Sequence, residues 1–284
     1  MTIAPQADIA ALRATFFEGI LDPAHGALPG EQIAIVVAHP DDETIGCGAL
    51  LGRLKGATVV MITDGAPRNL ADARNYGFET AADYASQRLA ELRQALAIAG
   101  VPERSLIALS IPDQEASLRL VSLATRIAEI CAERDIKLLL THAYEGGHPD
   151  HDAAAFAAHA AARLLSDRQE IMVVEMPFYR LNTASAVYQQ FRGDGMSLQI
   201  AIPLTPQEKA RKRRMIEAHV TQKAVLEAFP LEVERFRPAP PYDFTELPNG
   251  GRLLYEEQDW GMSGDRWQSL ARAALGELGL EKRA

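Results

Sequence analysis

The chain has 284 residues, of which 48% are hydrophobic, with a formal net charge of −9 and a pI near 5.3. This length allows a sizeable core, and the acidic balance argues against non-specific binding to nucleic acids or anionic membranes. No apolar run approaches the roughly 18 residues that a membrane span needs. The two cysteines do not suggest a disulfide framework, and the N-terminal segment lacks the pattern of a secretory signal. We therefore expect a cytoplasmic protein without a membrane span.

Apolar runs and helical patterns alternate through the first two thirds of the chain. After a first helix over Ala7–Leu21, the predicted strands are Ile33–Val37, Thr58–Thr63, Leu106–Ile111, Ile136–Leu140 and Ile171–Glu175. The helices that follow the first four strands are expected at Thr44–Leu54, Thr80–Ala99, Leu118–Glu133 and Ala153–Leu165. This alternation predicts an α/β fold, a Rossmann-like three-layer α/β/α arrangement with a mostly parallel sheet.

The alternation ends after Pro177. We expect a strand over Ser197–Ile202, a long helix over Pro206–Phe229, and an irregular segment from Phe236 to Trp267 with a hairpin near Asn249. We see no internal repeat and no low-complexity linker. The sequence therefore predicts a single domain over residues 1–284, with a core over 31–225 and a C-terminal extension over 226–284 that covers the core.

An imidazole and three carboxylates follow the first predicted strand, in the segment His39-Pro40-Asp41-Asp42-Glu43. A loop at the carboxyl end of a parallel strand is where open α/β sheets place their ligand sites. Clustered carboxylates repel each other, and a divalent metal ion is their usual partner. Taken alone, the segment is typical of a helix N-cap, with Asp41 or Asp42 as the capping residue.

A second polar segment, His148-Pro149-Asp150-His151-Asp152, follows the predicted strand Ile136–Leu140. Two such segments at strand ends favour a metal site over a capping cluster or a surface-loop histidine. His39 and Asp42 are spaced to reach one ion from a tight turn, and His151 is the expected third ligand. Two imidazoles and one carboxylate leave a position open for water, as in catalytic zinc sites. Fe(II), Co(II) and Mn(II) suit the same ligands, so the sequence does not select the metal.

Three further residues of these segments are candidates for catalysis. Asp41 lies beside Asp42, and a carboxylate next to activated water can accept its proton. His148 can stabilise an oxyanion or donate to a leaving amine. Asp150 is expected to hold the His148 imidazole in one tautomer.

The two segments resemble the signatures of the LmbE-like, or PIG-L, superfamily of metal-dependent de-N-acetylases. Ala38-His39-Pro40-Asp41-Asp42-Glu43 matches the AHPDDE signature, and His148-Pro149-Asp150-His151 matches the HPDH-type second motif. Weaker similarity at Thr63-Asp64-Gly65, Arg88–Leu92 and His219-Val220-Thr221-Gln222 extends the resemblance over residues 31–225.

The resemblance implies one zinc ion bound by His39, Asp42 and His151, with Asp41 as general base and His148 as acid or oxyanion partner. The choice of Asp42 as ligand and Asp41 as base depends on it. It also implies hydrolysis of a linear amide, in which an N-acyl group, usually acetyl, is removed from an amino sugar, a glycoconjugate or a related small molecule. We expect no nucleic-acid partner, and the sequence leaves a homo-oligomer open.

A sugar substrate needs polar groups beside the metal. The candidates are Asp64 and Arg68 after the second strand, Arg88 on the next helix, and Tyr144 before the second motif. Ordinary loop and helix-surface positions are an equally good interpretation of these residues.

Three other functions stay open at the level of the sequence. Gly46-x-Gly48-x-x-x-Gly52, with Asp64 at the end of the next strand, is similar to a dinucleotide fingerprint of an NAD-type oxidoreductase. Its third glycine is one residue late, and three acidic residues occupy the turn where pyrophosphate would approach. Clustered Asp and His residues also build two-metal phosphoesterase sites. A sugar- or metal-binding module without turnover is the third alternative.

Overall fold

A computed structural model of the chain describes residues 6–22, 28–193, 198–258 and 260–281. Seven strands form the central sheet. They are β1 Ile33–Val37, β2 Thr58–Thr63, β3 Leu106–Ile111, β4 Leu138–His142, β5 Met172–Met176, β6 Ile200–Pro203 and β7 Val233–Pro238. Their order across the sheet is β6-β7-β5-β4-β1-β2-β3. The five strands from β5 to β3 are parallel, and β7 is antiparallel to both of its neighbours.

The chain order reverses between β1 and β4. From β1 it proceeds outward through β2 to β3, then returns to place β4 on the other side of β1. Ligands in open α/β sheets bind at such a reversal, outside the carboxyl ends of the strands. The two polar segments found in the sequence follow these two strands, so the topology places them next to each other.

Helices cover both faces of the sheet. The nine helices of the described residues are α1 Gln6–Leu21, α2 Asp42–Leu51, α3 Ala71–Asn75, α4 Ala81–Ala99, α5 Leu120–Glu133, α6 Pro149–Leu164, α7 Pro206–Ala218, α8 Lys223–Leu226 and α9 Gly264–Glu277. Ile33, Ile35 and Val37 point to a core shared with α1, α2, α4 and α7, while Ala34 and Val36 point to a core shared with α5, α6 and α9. The three-layer α/β/α fold expected from the sequence is thus confirmed.

Three predicted helices differ from the observed ones near the site. Helix α2 begins at Asp42 rather than Thr44 and ends at Leu51 rather than Leu54. Helix α6 begins at Pro149 rather than Ala153, so His151 lies in its first turn and not in a loop. The helix predicted over Pro206–Phe229 is interrupted at His219, where α7 ends and a short 3₁₀ turn over Val220–Gln222 leads into α8. The break brings His219 against the first motif.

The C-terminal third is more regular than the sequence indicates. Strand β7 joins the main sheet, and α9 packs on the face formed by α5 and α6. Asn249 lies in a 3₁₀ turn over Pro248–Gly251, so the predicted hairpin is wrong. The predicted strand Ser197–Ile202 is observed as β6, and Ser197 lies outside the described residues. The division into core and extension stays a prediction.

A short hairpin follows β5, with strands Tyr179–Leu181 and Ala186–Tyr188. It lies beyond the carboxyl end of the sheet and contributes to the walls of the site described below. Within the described ranges, none of the helices combines the length and the hydrophobicity that crossing a bilayer requires.

Candidate active site

Three predicted metal ligands meet at the reversal between β1 and β4. His39 Nδ1 lies 3.1 Å from His151 Nε2 and 3.3 Å from Asp42 Oδ2, and His151 Nε2 lies 3.4 Å from Asp42 Oδ1. All three side chains are buried. The backbone N–H of His39 also donates to Asp42 at 2.7 Å, so the turn itself holds this carboxylate toward the imidazoles. Two ring nitrogens and a carboxylate that converge in this way fit a single divalent cation.

The second nitrogen of His39 identifies a residue that the sequence analysis missed. His39 Nε2 lies 3.1 Å from Asp113 Oδ1, on the loop after β3. With its proton on Nε2, donated to Asp113, His39 keeps the Nδ1 lone pair for the ion, which is the usual arrangement of metal-binding histidines. Asp113 is therefore the carboxylate partner of a ligand. Its position after a strand's carboxyl end was the available signal.

A second group of side chains could also hold a metal ion. It consists of His39, through Nε2, with Asp113, His148 and Asp150. A nitrogen that donates a proton to Asp113 has no lone pair for another ion. The two groups share His39, so the arrangement suits one ion at the His39–Asp42–His151 group.

The charge state of the imidazoles agrees with this assignment. Burial lowers the pKa of His151 to about 3, so its ring is neutral and can offer a lone pair. Burial also lowers the pKa of His39, but the negative charge and hydrogen bond of Asp113 outweigh it and raise that pKa well above its ordinary value. The surroundings of His39 thus attract a positive charge, which a metal ion supplies as well as a proton does.

His142 supports the ligands from behind. Its Nε2 accepts a hydrogen bond from the Ala38 backbone N–H at 3.0 Å and lies 3.4 Å from Asp42 Oδ2. Its ring stacks on that of His151, with centroids 4.0 Å apart. Since Nε2 accepts from the Ala38 backbone N–H, the His142 side chain holds the backbone of the first motif in place.

Asp41 occupies a strained backbone position beside the ligands. Its φ of 147° lies in a region that costs energy for a residue with a side chain. The backbone N–H of Asp41 donates to the Glu43 carboxylate at 3.2 Å. The Asp41 carboxylate accepts from Arg88 Nη2 at 2.9 Å. Burial raises the pKa of Asp41 to about 7, although Arg88 lowers it. A carboxylate with this pKa can both accept and release a proton near neutral pH.

His148 is the N-cap of α6 rather than a loop residue. Its Nδ1 accepts from the backbone N–H of Asp150 at 3.1 Å, so the neutral ring carries its proton on Nε2. Burial lowers the pKa of His148 well below its ordinary value. A neutral ring with an N–H suits hydrogen-bond donation to an oxyanion better than transfer of a proton to an amine.

The role predicted for Asp150 is therefore wrong in its detail. Its backbone, and not its carboxylate, sets the tautomer of His148. The carboxylate accepts from the backbone N–H groups of Gln114 at 2.6 Å and Ala116 at 3.0 Å. It thus anchors the loop that carries Asp113, because α6 begins earlier than predicted and turns this side chain toward β3.

Three of the four predicted substrate-binding residues do not line the cavity above the ligands. Arg68 pairs with Asp64 at 2.6 Å, and Asp64 also accepts from the Asp113 backbone N–H at 3.3 Å. Tyr144 is buried in the core, where its hydroxyl donates to the Glu246 carbonyl and accepts from Trp267. The polar atoms of these side chains are hydrogen-bonded to other protein groups rather than directed into the cavity.

Arg88 does reach the cavity, but its guanidinium is used by the protein itself. It donates to the backbone carbonyls of Gly65 and Pro40 as well as to Asp41. The predicted contact between Arg88 and substrate therefore becomes a contact with the candidate base.

The cavity above the ligands has a volume of about 140 Å³. Besides His39, Asp41, Asp42, His148 and His151, its walls include side chains that the sequence analysis did not assign to the site: Tyr179, Gln222, Val225, Phe229 and Trp260. Trp260 packs against His148, with ring centroids 4.4 Å apart. No local pattern marks these residues, because they come from segments distant in the chain.

The glycines of the dinucleotide-like pattern have a packing role. A Cβ on Gly46 would lie 2.7 Å from Met176 Sδ, and one on Gly52 would overlap the Arg211 guanidinium. Both glycines lie at or in α2, where side chains of neighbouring elements pack closely against them, so a side chain at either position would displace its neighbours.

The family model of PIG-L, described as GlcNAc-PI de-N-acetylase, matches residues 34–162, which contain both motifs. The resemblance inferred from the two motifs is thereby confirmed. None of the curated proteins matches the sequence of this chain.

Several solved structures share the fold of this chain. The A40926 pseudoaglycone deacetylase is 21% identical, with a TM-score of 0.58 over 75% of this chain and 98% of that one. The zinc-inhibited form of a teicoplanin deacetylase is 18% identical, with a TM-score of 0.55 over 74% and 99%. The N,N'-diacetylchitobiose deacetylase from Pyrococcus horikoshii is 17% identical, with a TM-score of 0.50 over 84% and 94%.

Proposed function

We propose that this chain is a metal-dependent hydrolase that removes an N-acyl group, with acetyl as the first choice, from an amino sugar or a related small molecule. The observation that carries the proposal is the buried His39–Asp42–His151 group with Asp41 beside it, inside a domain whose family is described as a de-N-acetylase. Three structures with the same fold are named as an A40926 pseudoaglycone deacetylase, a teicoplanin deacetylase and an N,N'-diacetylchitobiose deacetylase.

His39, Asp42 and His151 would hold the metal, for which zinc is our first choice. Nitrogen and oxygen ligands in a buried site suit Zn²⁺, and they also suit Fe²⁺, Co²⁺ or Mn²⁺. When bound, such an ion polarises a carbonyl group and makes water acidic enough to attack at neutral pH. A similar protein has a form described as zinc-inhibited, so the metal should be added in measured amounts.

The protein's own residues supply the remaining steps. Asp41 accepts a proton from the attacking water, whose oxygen bonds to the amide carbon. His148 Nε2–H donates a hydrogen bond to the carbonyl oxygen, which becomes negative as the carbon turns tetrahedral. The proton on Asp41 then passes to the nitrogen as the C–N bond breaks, which leaves an amine and a carboxylic acid. The acid then gives up its proton to the amine or to solvent and becomes a carboxylate. Burial raises the pKa of Asp41 above its ordinary value, which suits this carboxylate to holding the proton between the two transfers.

The test combines elemental analysis with amine release from a panel of N-acetylated sugars. We expect one metal per chain and amine release in the unchanged protein. Asp41→Asn should keep the metal and lose about 10²–10⁴-fold in kcat, the usual contribution of a general base. His39→Ala should lose both metal and turnover, while Asp167→Asn, an exposed control, should change neither.

The outcomes separate the alternatives. Full activity of Asp41→Asn would remove Asp41 from the mechanism. Two metals per chain with phosphate-ester hydrolysis would favour the phosphoesterase, and bound nicotinamide cofactor would favour the oxidoreductase. Metal binding without turnover on any acylated amine would leave a binding module.

A further inference from the structure

The peptide bond between Pro40 and Asp41 is hydrogen-bonded at both ends. Its carbonyl oxygen, on Pro40, accepts from Arg88 Nη2 at 2.9 Å. Its N–H, on Asp41, donates to Glu43 Oε2 at 3.2 Å. Rotation of this peptide plane changes the φ of Asp41, so the two hydrogen bonds together restrain that angle. Pro40 and Asp41 are both buried, so loss of either bond would leave a buried backbone group without its partner.

The backbone of Asp41 needs such a restraint. A φ of 147° with a ψ of −24° is unfavourable for a residue with a Cβ, and rotation of the preceding peptide plane would relieve it. That rotation would turn the Pro40 carbonyl away from Arg88. Because Arg88 Nη2 also contacts the Asp41 carboxylate at 2.9 Å, relaxation of the backbone would disturb the carboxylate as well.

Glu43 is itself held in place by two side chains. Thr44 Oγ1 donates to Glu43 Oε1 at 2.5 Å and lies 3.3 Å from His219 Nε2, which is 3.6 Å from the same Glu43 oxygen. All three residues are buried. His219 Nδ1 has no hydrogen-bond partner within the described residues, so a proton there would be a buried donor without an acceptor. We therefore place the proton on Nε2, where it is directed at Thr44 and Glu43.

The turn that carries His219 is fixed to α4. The Thr221 hydroxyl donates to the Glu91 carboxylate at 2.7 Å, and the Thr221 backbone N–H donates to it at 3.2 Å. Gln222 Nε2 donates to the Tyr84 hydroxyl at 2.7 Å. Tyr84 and Glu91 lie on the helix that also carries the arginine at the carbonyl end of the peptide. One helix thus supports both ends of the restrained peptide.

We infer that Glu43 and His219 are positioning residues, which hold the Pro40–Asp41 peptide so that the Asp41 carboxylate faces the attacking water. The role of Asp41 as base belongs to the proposed function, on which this inference rests. Among the described residues, the walls of the small cavity and the candidate ligand groups do not include Glu43 or His219. Their loss should therefore change kcat and leave KM and metal content as they are.

The experiment uses two variants at each position, one that removes the hydrogen bond and one that keeps it. Glu43→Met fills a similar space without an acceptor, whereas Glu43→Gln keeps an oxygen for the Asp41 N–H. His219→Leu removes the donor, whereas His219→Gln places an amide N–H near the position of Nε2. We expect kcat to fall by about ten- to hundredfold in the first variant of each pair, the effect of a misplaced catalytic group, and by less than about threefold in the second. Glu217→Met, on the exposed side of α7, is the control.

A second substitution separates positioning from a general loss of structure. In an Asp41→Asn background, Glu43→Met should cause no further loss of kcat, because its effect passes through the Asp41 carboxylate. The same fold-loss in both backgrounds would overturn the inference. So would a Glu43→Gln variant as impaired as Glu43→Met, since the charge of Glu43 and not its hydrogen bond would then matter.

Crystal structures of the unchanged protein and of Glu43→Met test the restraint without amine release. We expect the φ of Asp41 to be positive in the unchanged protein and to leave the positive region in the variant. If the angle is the same in both proteins, the inference fails whether or not the chain is a hydrolase. If the angle changes as expected but the unchanged protein releases no amine from the acylated panel, the restraint of Asp41 is supported and the proposed function is rejected.

Discussion

Gly147 shows how little space the site leaves at the scale of a single residue. A Cβ at this position would lie 2.0 Å from the backbone oxygen of Tyr179. The glycine is thus required where the second motif passes under the hairpin, next to His148. Because this oxygen belongs to the backbone of Tyr179, it can move only together with the hairpin.

We predict that Gly147→Ala will displace the hairpin or the second motif and lower kcat/KM by at least tenfold. Gly193→Ala is the matched control, since a Cβ there meets nothing within 4 Å. Steady-state kinetics on both variants, with metal content measured in parallel, checks the prediction. Equal activity of the two variants would mean that the contact with Tyr179 is not needed for the site.

The pH dependence of activity belongs to Asp41 and Arg88. Asp41 must be ionised to accept a proton, so kcat/KM should rise as pH increases through its pKa. Burial raises that pKa to about 7 in the metal-free protein, and a cation at the neighbouring ligands lowers it. The rising limb should therefore lie at or below about pH 7.

Arg88→Gln removes the positive charge that lowers the pKa of Asp41 and should move the rising limb to higher pH. Arg93→Gln, on the exposed side of the same helix, is the control and should leave the limb in place. The measurement is kcat/KM against pH for the three proteins. A shift to lower pH in Arg88→Gln would contradict the assigned base.

Sequence reasoning worked best for residues whose role depends on local spacing. His39, Asp42 and His151 lie where strand ends place them, and the structure brings the three together. For Tyr144 the structure differs from the expected place in the cavity, because the hydroxyl is hydrogen-bonded to Trp267, which lies far along the chain. Asp64 pairs with Arg68, four residues later, and also accepts from the distant Asp113 backbone N–H.

At the scale of elements, α2 is interrupted at Cys47, whose φ of −145° is not helical. Lys212 Nζ donates to the Ile45 carbonyl at 2.7 Å, on one side of the break. The Glu234 carboxylate accepts from the backbone N–H groups of Ala49 at 2.7 Å and Leu50 at 3.0 Å, on the other. The break in α2 leaves backbone N–H and C=O groups without helical partners. The buried side chains of Lys212 from α7 and Glu234 from β7 form hydrogen bonds with these groups.

Lys212 and Glu234 also pair with each other at 2.8 Å, and both are buried. We predict that Lys212→Met lowers the free energy of unfolding by about 3–5 kcal/mol, because it leaves the Glu234 charge buried without its partner. Lys212→Met combined with Glu234→Leu should lose less than the sum of the two single changes. Urea unfolding of these variants tests this, with Arg213→Met on the exposed side of α7 as control. Additive losses would mean that the pair is not coupled.

The elements themselves were predictable where apolar periodicity was strong. Strands β1 to β3 and helix α4 match the predicted ranges within a residue. Strands β1 and β2 are buried along their whole length, which produces their apolar runs. Helix α9 was missed within the segment rich in Pro, Gly and aromatic residues, although Ser263 caps it through a hydrogen bond to the Arg266 backbone N–H. The break at His219 depends on contacts with the first motif, and the helical pattern continues through it.

At the scale of the whole molecule, α9 joins the C-terminal residues to the core of the α/β fold. Trp267 is fully buried, and its Nε1 donates to the Tyr144 hydroxyl at 2.6 Å. Tyr144 lies two residues after the end of β4 and precedes the second motif. A side chain from the last helix thus packs against the segment that leads into the metal site.

We predict that Trp267→Ala destabilises the entire fold by about 3–5 kcal/mol, the usual cost of truncating a large buried aromatic residue. Trp267→Phe should lose less, since it retains most of the volume but not the hydrogen bond. Urea unfolding followed by circular dichroism should show one transition at a lower midpoint. A separate early transition, with the remaining structure unchanged, would show instead that the C-terminal part unfolds on its own.

The sequence by itself determined the layered α/β fold and the two motifs that carry the candidate metal ligands, since both depend on short-range patterns at the ends of buried strands. The tertiary structure decided that Asp113 supports His39, that Arg88 contacts the candidate base, and that Tyr179, Phe229 and Trp260 form the walls. These contacts join residues far apart in the chain, and their geometry follows from how the hairpin, α7–α8 and the C-terminal turns pack over the sheet. No local pattern encodes that packing, because each of its surfaces is completed by another segment.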